Sequence, residues 1–177
     1  GYLGIARDPL QIIRTPELLK RWAEWSVWTP LLRTHEGNLP DLHAQVFDDD
    51  VVADFARFTR MYAALADYRQ EVLEQAGQDG VPAMRHCWLH YPGTSAAQRD
   101  DQYFFGDRFL IAPVFGSMRG RGVTPPPGTW VSAWTRLKYQ GGQEVNLPTP
   151  PGQPGVLYRE GDQKAEAIAE RVKLASF

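Results

Sequence analysis

The run Trp28-Thr-Pro-Leu-Leu-Arg-Thr-His-Glu-Gly-Asn38 constrains this 177-residue chain more than any other feature. It is entered from an apolar helix, and Thr29-Pro30 stops that helix, because proline disfavours a helical residue before it. Leu31 to Thr34 then reads as a short buried strand. An arginine, a histidine and a glutamate follow within four residues, and a glycine and an asparagine come directly after. A barrel strand delivers polar side chains to the rim of a pocket in this way. Arg33 and His35 alternate with Leu32 and Thr34, so the two-residue period of a strand sends both to one side. Such a pair can bind hydroxyls or an anion; a buried hydrogen-bond network behind the pocket is the structural alternative. Glu36 can serve as a general acid or base, or can tie down the loop through a hydrogen bond.

The flanks predict mixed α/β structure. Thr15 caps a helix, Pro16 takes its first position, and Leu18, Leu19, Trp22 and Trp25 or Ser26 share one face. A second helix runs from Asp49 or Asp50 to about Gln75. Val52, Phe55, Ala56, Thr59, Ala63 and Ala66 form its packing side, with Arg57, Arg60, Asp67 and Arg69 as polar relief. Asp48, Asp49 and Asp50 sit where a carboxylate favours the positive helix end, so capping is preferred to metal binding. Gly77 and Gly80 bracket the exit. Val81 to Trp88 reads as another strand, with Arg85 and His86 at its end and a salt bridge as their structural reading. Asp100 to Gly106 is a compact turn. Beyond it the chain is rich in proline and glycine. Strands are predicted over 109–115, 129–133, 144–147 and 155–158, and a helix over 164–174.

Several function classes receive no support. Lysine and arginine number 19 against 21 acidic residues, a net charge of -2, so no basic surplus points to nucleic acid. No apolar stretch of membrane-spanning length occurs. Cys87 is the single cysteine, which excludes an intrachain disulfide and favours a cytoplasmic setting; among Met84, Trp88 and Leu89 it reads as a small core hydrophobe. The histidines at 35, 43, 86 and 90 lack metal-ligand spacing, and no phosphate-binding glycine loop or GxSxG turn is present, so no metal or cofactor is expected. The many aromatics fit a core, though Trp130 and Trp134 could instead face a sugar in a non-catalytic carbohydrate-binding or structural module. Nothing near Arg33 completes a catalytic machine.

Six blocks then occur in order: Leu18-Leu-Lys-Arg-Trp22, Trp28 to Asn38, Gly80-Val-Pro-Ala-Met-Arg85, Asp101-Gln-Tyr-Phe-Phe-Gly-Asp107, Leu110-Ile-Ala-Pro-Val114 and Gly128-Thr-Trp130. Together they resemble the C-terminal part of the catalytic barrel of glycoside hydrolase family 31, followed by its small β domain. The resemblance covers nearly the whole chain. It implies that residues 1–105 are the C-terminal part of a (β/α)8 TIM barrel and that residues 106–177 form a small antiparallel β-sandwich-like domain. Thr34-His-Glu-Gly-Asn38 resembles the sulfoquinovosidases of that family more than its ordinary α-glucosidases. The implied activity is retaining hydrolysis of α-sulfoquinovosides by double displacement, with a neutral-sugar α-glucosidase or α-xylosidase as the alternative. The implied substrate-binding residues are Tyr2, which helps hold the sulfonate, Arg33, which braces carboxylates, and His35, which meets sugar hydroxyls. The nucleophile and the acid/base of the family lie on earlier strands, so no catalytic residue is implied here, and the chain alone is expected to be inactive. The implied partners are the missing N-terminal part of the same enzyme and a small glycoside, with a homo-oligomer as a further option.

Overall fold

The computed structural model describes residues 13–34, 36, 37 and 39–177. Helix α1 spans Pro16–Ser26, and it starts as its sequence requires: Thr15 accepts from the Leu18 amide at 3.2 Å and Pro16 follows at once. Its buried side carries Leu19 and Ala23 together with two charged residues, Arg21 and Glu24. Arg21 donates to Glu24 at 2.8 Å and to the carbonyls of Met118 and Thr149, and Glu24 accepts from the Gly152 amide. Burial pushes the Glu24 carboxyl up, and Arg21 opposes that shift. The pair therefore pins α1 to loops that lie far along the chain.

The long predicted helix is two helices, α2 at Val52–Ala64 and α3 at Ala66–Asp79, divided at Leu65. The packing stripe differs from the expectation. Phe58, Met61, Leu65, Tyr68 and Val72 are buried, whereas Val52, Ala56, Thr59, Ala63 and Ala66 are exposed. The true stripe has the same three- and four-residue spacing but much larger side chains. Apolar area removed from water decides which face turns inward, and small residues lose that contest. The aspartates do not cap α2 either. Val51 holds the cap position without a side-chain bond, and the Asp48 carboxylate accepts from the Gln45 amide at 2.7 Å.

Eight strands follow: β1 Met84–His86, β2 Tyr103–Phe105, β3 Phe109–Ala112, β4 Gly120–Val123, β5 Thr129–Ser132, β6 Lys138–Gln140, β7 Val145–Pro148 and β8 Gly155–Arg159; helix α4 spans Gln163–Leu174. Six of the strands form one sheet in the order β1-β2-β3-β8-β5-β6, and β4 and β7 form a separate pair. Every pairing among the described residues is antiparallel. Two expectations change here. Met84–His86 pairs antiparallel with Tyr103–Phe105, a stretch expected to be a turn, and Leu31 to Thr34 has no strand partner among the described residues. Leu31 to Thr34 and Met84 to His86 thus do not form a parallel pair within the described residues. Gly106 sits in the turn between β2 and β3 with φ 63°, and a Cβ there would run into Tyr68 and Val72.

The sheet is covered on both faces, which is why β3 reads as an unbroken apolar run. Phe109 and Ile111 pack among Trp28, Phe58, Met61 and Tyr68 on the helical side, where α4 adds Ala165, Ile168, Ala169 and Val172. Leu110 and Ala112 face the other side with Val123, Trp130 and Leu147. Trp130 and Trp134 are buried, and their indole N–H groups donate to the carbonyls of Pro126 and Pro154. They fill the core, as expected of tryptophans whose single polar atom finds a partner. At the edge of this layer, Asp101 accepts from Arg99 and pairs with Arg121 at 2.7 Å. Desolvation alone would raise its carboxyl; the hydrogen bonds and charges of the two arginines outweigh it and bring it down to about 2.

Candidate substrate rim

The segment after α1 is held at its root by side chains reaching its carbonyls. A helix leaves its last carbonyls without partners inside the helix. Arg69, from α3, donates to the carbonyls of Val27 and Thr29 at 3.1 Å each and to that of Tyr62 at 3.0 Å. Its guanidinium lies over the Tyr62 ring, 3.4 Å from the centroid, and the Tyr62 hydroxyl donates to the Pro30 carbonyl at 2.9 Å. A cation suits the negative end of a helix, and the stacked tyrosine fixes its plane. Burial lowers the Arg69 guanidinium from its ordinary value. Tyr103, on β2, donates to the Trp28 carbonyl at 2.9 Å and accepts from the Trp25 indole at 3.1 Å. Burial pushes its phenol well above the usual range.

Past this root the chain emerges. Leu31 and Arg33 are exposed while Leu32 and Thr34 are half-buried, the alternation expected of an extended segment. Arg33 makes no hydrogen bond or ion pair among the described residues. The far end is tied again. Glu36 accepts from the Val46 amide at 2.8 Å and lies 3.5 Å from the Arg14 guanidinium. The Gly37 amide donates to Gln45, whose own amide group donates to the His43 carbonyl at 2.7 Å. Arg14 donates its backbone N–H to His43 Nδ1, so the proton of a neutral His43 is on Nε2. The rim is a short exposed span between two polar anchors.

Residues 80–162 match the family described as "Glycosyl hydrolase family 31 C-terminal domain". The chain is 40% identical over 167 residues to a sulfoquinovosidase of Agrobacterium fabrum, covering 91% of this chain and 25% of that protein. This chain belongs to glycoside hydrolase family 31. A sulfoquinovosidase of Escherichia coli is 38% identical over 160 residues, covering 88% of this chain and 23% of that protein. Among solved structures, a family 31 sulfoquinovosidase from E. rectale in complex with an aza-sugar inhibitor superposes with a TM-score of 0.84 at 33% identity, covering 98% of this chain and 26% of that one. The chain thus spans about a quarter of the length of the relatives it matches.

Of the three substrate-binding residues implied for this family 31 chain, Arg33 is on the exposed rim, while Tyr2 and His35 lie outside the described residues. Among the described residues, Arg33 is therefore the one of the three that has a place. Asp48 to Asp50 form a turn beyond the rim, and no group of three or more metal-ligating side chains occurs among the described residues. Arg85 is buried without the expected salt bridge: it donates to the Pro82 carbonyl and to Gln75, and faces His90 at 3.3 Å. His86 meets exposed Asp100 at 3.2 Å. Cys87 is buried and its thiol is pushed up by that burial. Sequence reasoning missed Tyr62, Arg69 and Gln45. Tyr62 and Arg69 are seven residues apart, two helical turns, which is the signal that could have placed both on one face. No comparable signal marks Gln45, whose role depends on where the loop folds back.

Proposed function

We propose that this chain supplies the C-terminal end of the catalytic (β/α)8 barrel and the following β domain of a retaining α-glycoside hydrolase that cleaves α-sulfoquinovosides. The observation that carries this is the Arg33 to Asn38 sequence motif, whose Arg33 stands exposed and whose Glu36 and Gly37 are anchored, in a chain whose relatives include two sulfoquinovosidases matched over most of its length. Leu31, Leu39, Leu42 and Phe47 are all exposed along this part of the chain, and they support its packing against the remainder of a barrel. The start of the six-stranded sheet at Met84, and the family match from residue 80, support ending the barrel part near Gly80 rather than near Gly106. The single buried cysteine supports a cytoplasmic setting. No helix among the described residues is long and apolar enough to cross a membrane.

In this reading a carboxylate attacks the anomeric carbon while a second one protonates the leaving oxygen. Water then releases the sugar with retained configuration. Both carboxylates come from the rest of the protein. Arg33 steadies them, His35 meets ring hydroxyls, and Tyr2 offers a donor to the permanently charged sulfonate, directly or through water. The full-length enzyme should turn over an aryl α-sulfoquinovoside with a higher kcat/KM than the matching aryl α-glucoside. Equal or better turnover of the glucoside, or of an aryl α-xyloside, would overturn the substrate and leave the family in place.

A further inference from the structure

We propose that Glu36 is a positioning residue of this rim, one that sets Arg33 and its neighbours in place without touching the reacting atoms; this rests on the substrate site proposed above. A general acid or base must bring a carboxyl oxygen within hydrogen-bond reach of the proton it moves. The Glu36 carboxylate has a different engagement. One oxygen accepts from the Val46 amide at 2.8 Å and lies 3.5 Å from Arg14. A carboxylate bonded to a backbone N–H is among the stronger hydrogen bonds available to a loop. Both side chains are sheltered, at 20% exposure for Glu36 and 13% for Arg14.

What Glu36 reaches is firm. Val46 packs with Leu19, Ala44 and Val51 in a separate apolar cluster. Ala44 in turn donates to the Arg14 carbonyl at 2.7 Å, so the chain entering α1 and the chain entering α2 are zipped together at this point. The rim leaves its first anchor at Pro30, under the Tyr62 hydroxyl, and meets its second at Glu36. Arg33 lies midway and has no tie of its own among the described residues. Its reach into a pocket is therefore fixed by the two ends. Displacing the second end by the length of a lost hydrogen bond would misalign it, and misplacement of about 1 Å can cost about 100-fold in rate.

The test uses the full-length enzyme and whichever aryl α-glycoside it turns over. Glu36→Ala should lower kcat/KM by about 10- to 100-fold while leaving both limbs of its pH profile where they are. Glu36→Gln keeps an oxygen for the Val46 amide and should recover most of that loss. Hydrogen exchange on the same proteins gives a readout independent of substrate: the Val46 amide should exchange faster in Glu36→Ala and hardly faster in Glu36→Gln. If glutamine is as harmful as alanine and a pH limb vanishes, Glu36 is the acid or base and the proposal fails. It fails equally if kcat/KM per folded enzyme is unchanged, or if Val46 exchange does not respond. Loss of every glycoside activity in the wild type would refute the proposed function, and the exchange measurement would still decide the role of Glu36.

Discussion

Phe109 to Ala112 and Leu31 to Thr34 are both four-residue stretches that read as strands from the sequence, yet they end in opposite circumstances. The first is fully buried, hydrogen-bonded to β2 on one edge and to β8 on the other. The second has no strand partner among the described residues, and its first residue, Leu31, is 67% exposed. Composition separates them only in part, through Arg33 and Thr34. Partners at their edges do the rest, because a strand's stability comes from cross-strand pairs and covered faces more than from its own residues. Where edges are missing, the segment is held instead by Arg69 and Tyr62 gripping its backbone at one end and by the Glu36 carboxylate reaching the Val46 amide at the other.

That contrast can be broken in three ways. The largest effect is expected in the sheet: Phe109→Ala removes a ring touching Trp28, Tyr68 and Tyr158 and should cost about 3–5 kcal/mol. Thermal unfolding of the full-length enzyme reads this, and a loss below about 1 kcal/mol would show that the layer can collapse around the gap. Next comes the root of the rim. Arg69→Ala strands the carbonyls of Val27 and Thr29, and should destabilise by on the order of 3 kcal/mol. Unlike Phe109→Ala, it should also lower kcat/KM in the fraction that remains folded; an unchanged kcat/KM would mean that the root does not set the rim. The smallest effect is acid sensitivity at the sheet edge. The Asp101 carboxyl is depressed from 3.8 to about 2 in the folded chain, so it stabilises above its unfolded value and that stability fades as pH falls from about 4 toward 2. Asp101→Asn should therefore melt lower than wild type at neutral pH, with the two melting curves converging near pH 2. Parallel curves across that range would remove Asp101 from the account.

How far the sequence could be read follows the same line. Thr15 and Pro16 announced α1 because caps are local chemistry, and strands β5, β7 and β8 were bounded by the prolines and glycines around them. The stripe on α2 and α3 was misassigned because two sets of residues share one periodicity and only side-chain volume tells them apart. Leu31 to Thr34 looked like a strand because its partners, or their absence, are not written in it. At the site, Arg33 reads as a polar group on a short buried strand and stands on an exposed segment, whereas Arg69 reads as polar relief and is buried. A buried arginine is betrayed only by the carbonyls it will meet, and those are 40 and 42 residues away.

Trp28 stands 5.2 Å from Phe109 and 6.3 Å from Trp134, so the helices and the sheet close on a single ring cluster. Gly106, the evident seam in the sequence, would be a poor crossover for chimeras between family members. Splicing there would set one parent's Trp28, Phe58 and Tyr68 against another parent's Phe109 and Val156. The stretch from Pro30 to Gly37 is the better graft. Its first anchor grips main-chain carbonyls, which any donor sequence provides, and its second needs only that the donor keep a carboxylate at position 36 to meet the Val46 amide. A short cassette can therefore be exchanged on this scaffold while the aromatic cluster beneath it stays with its host.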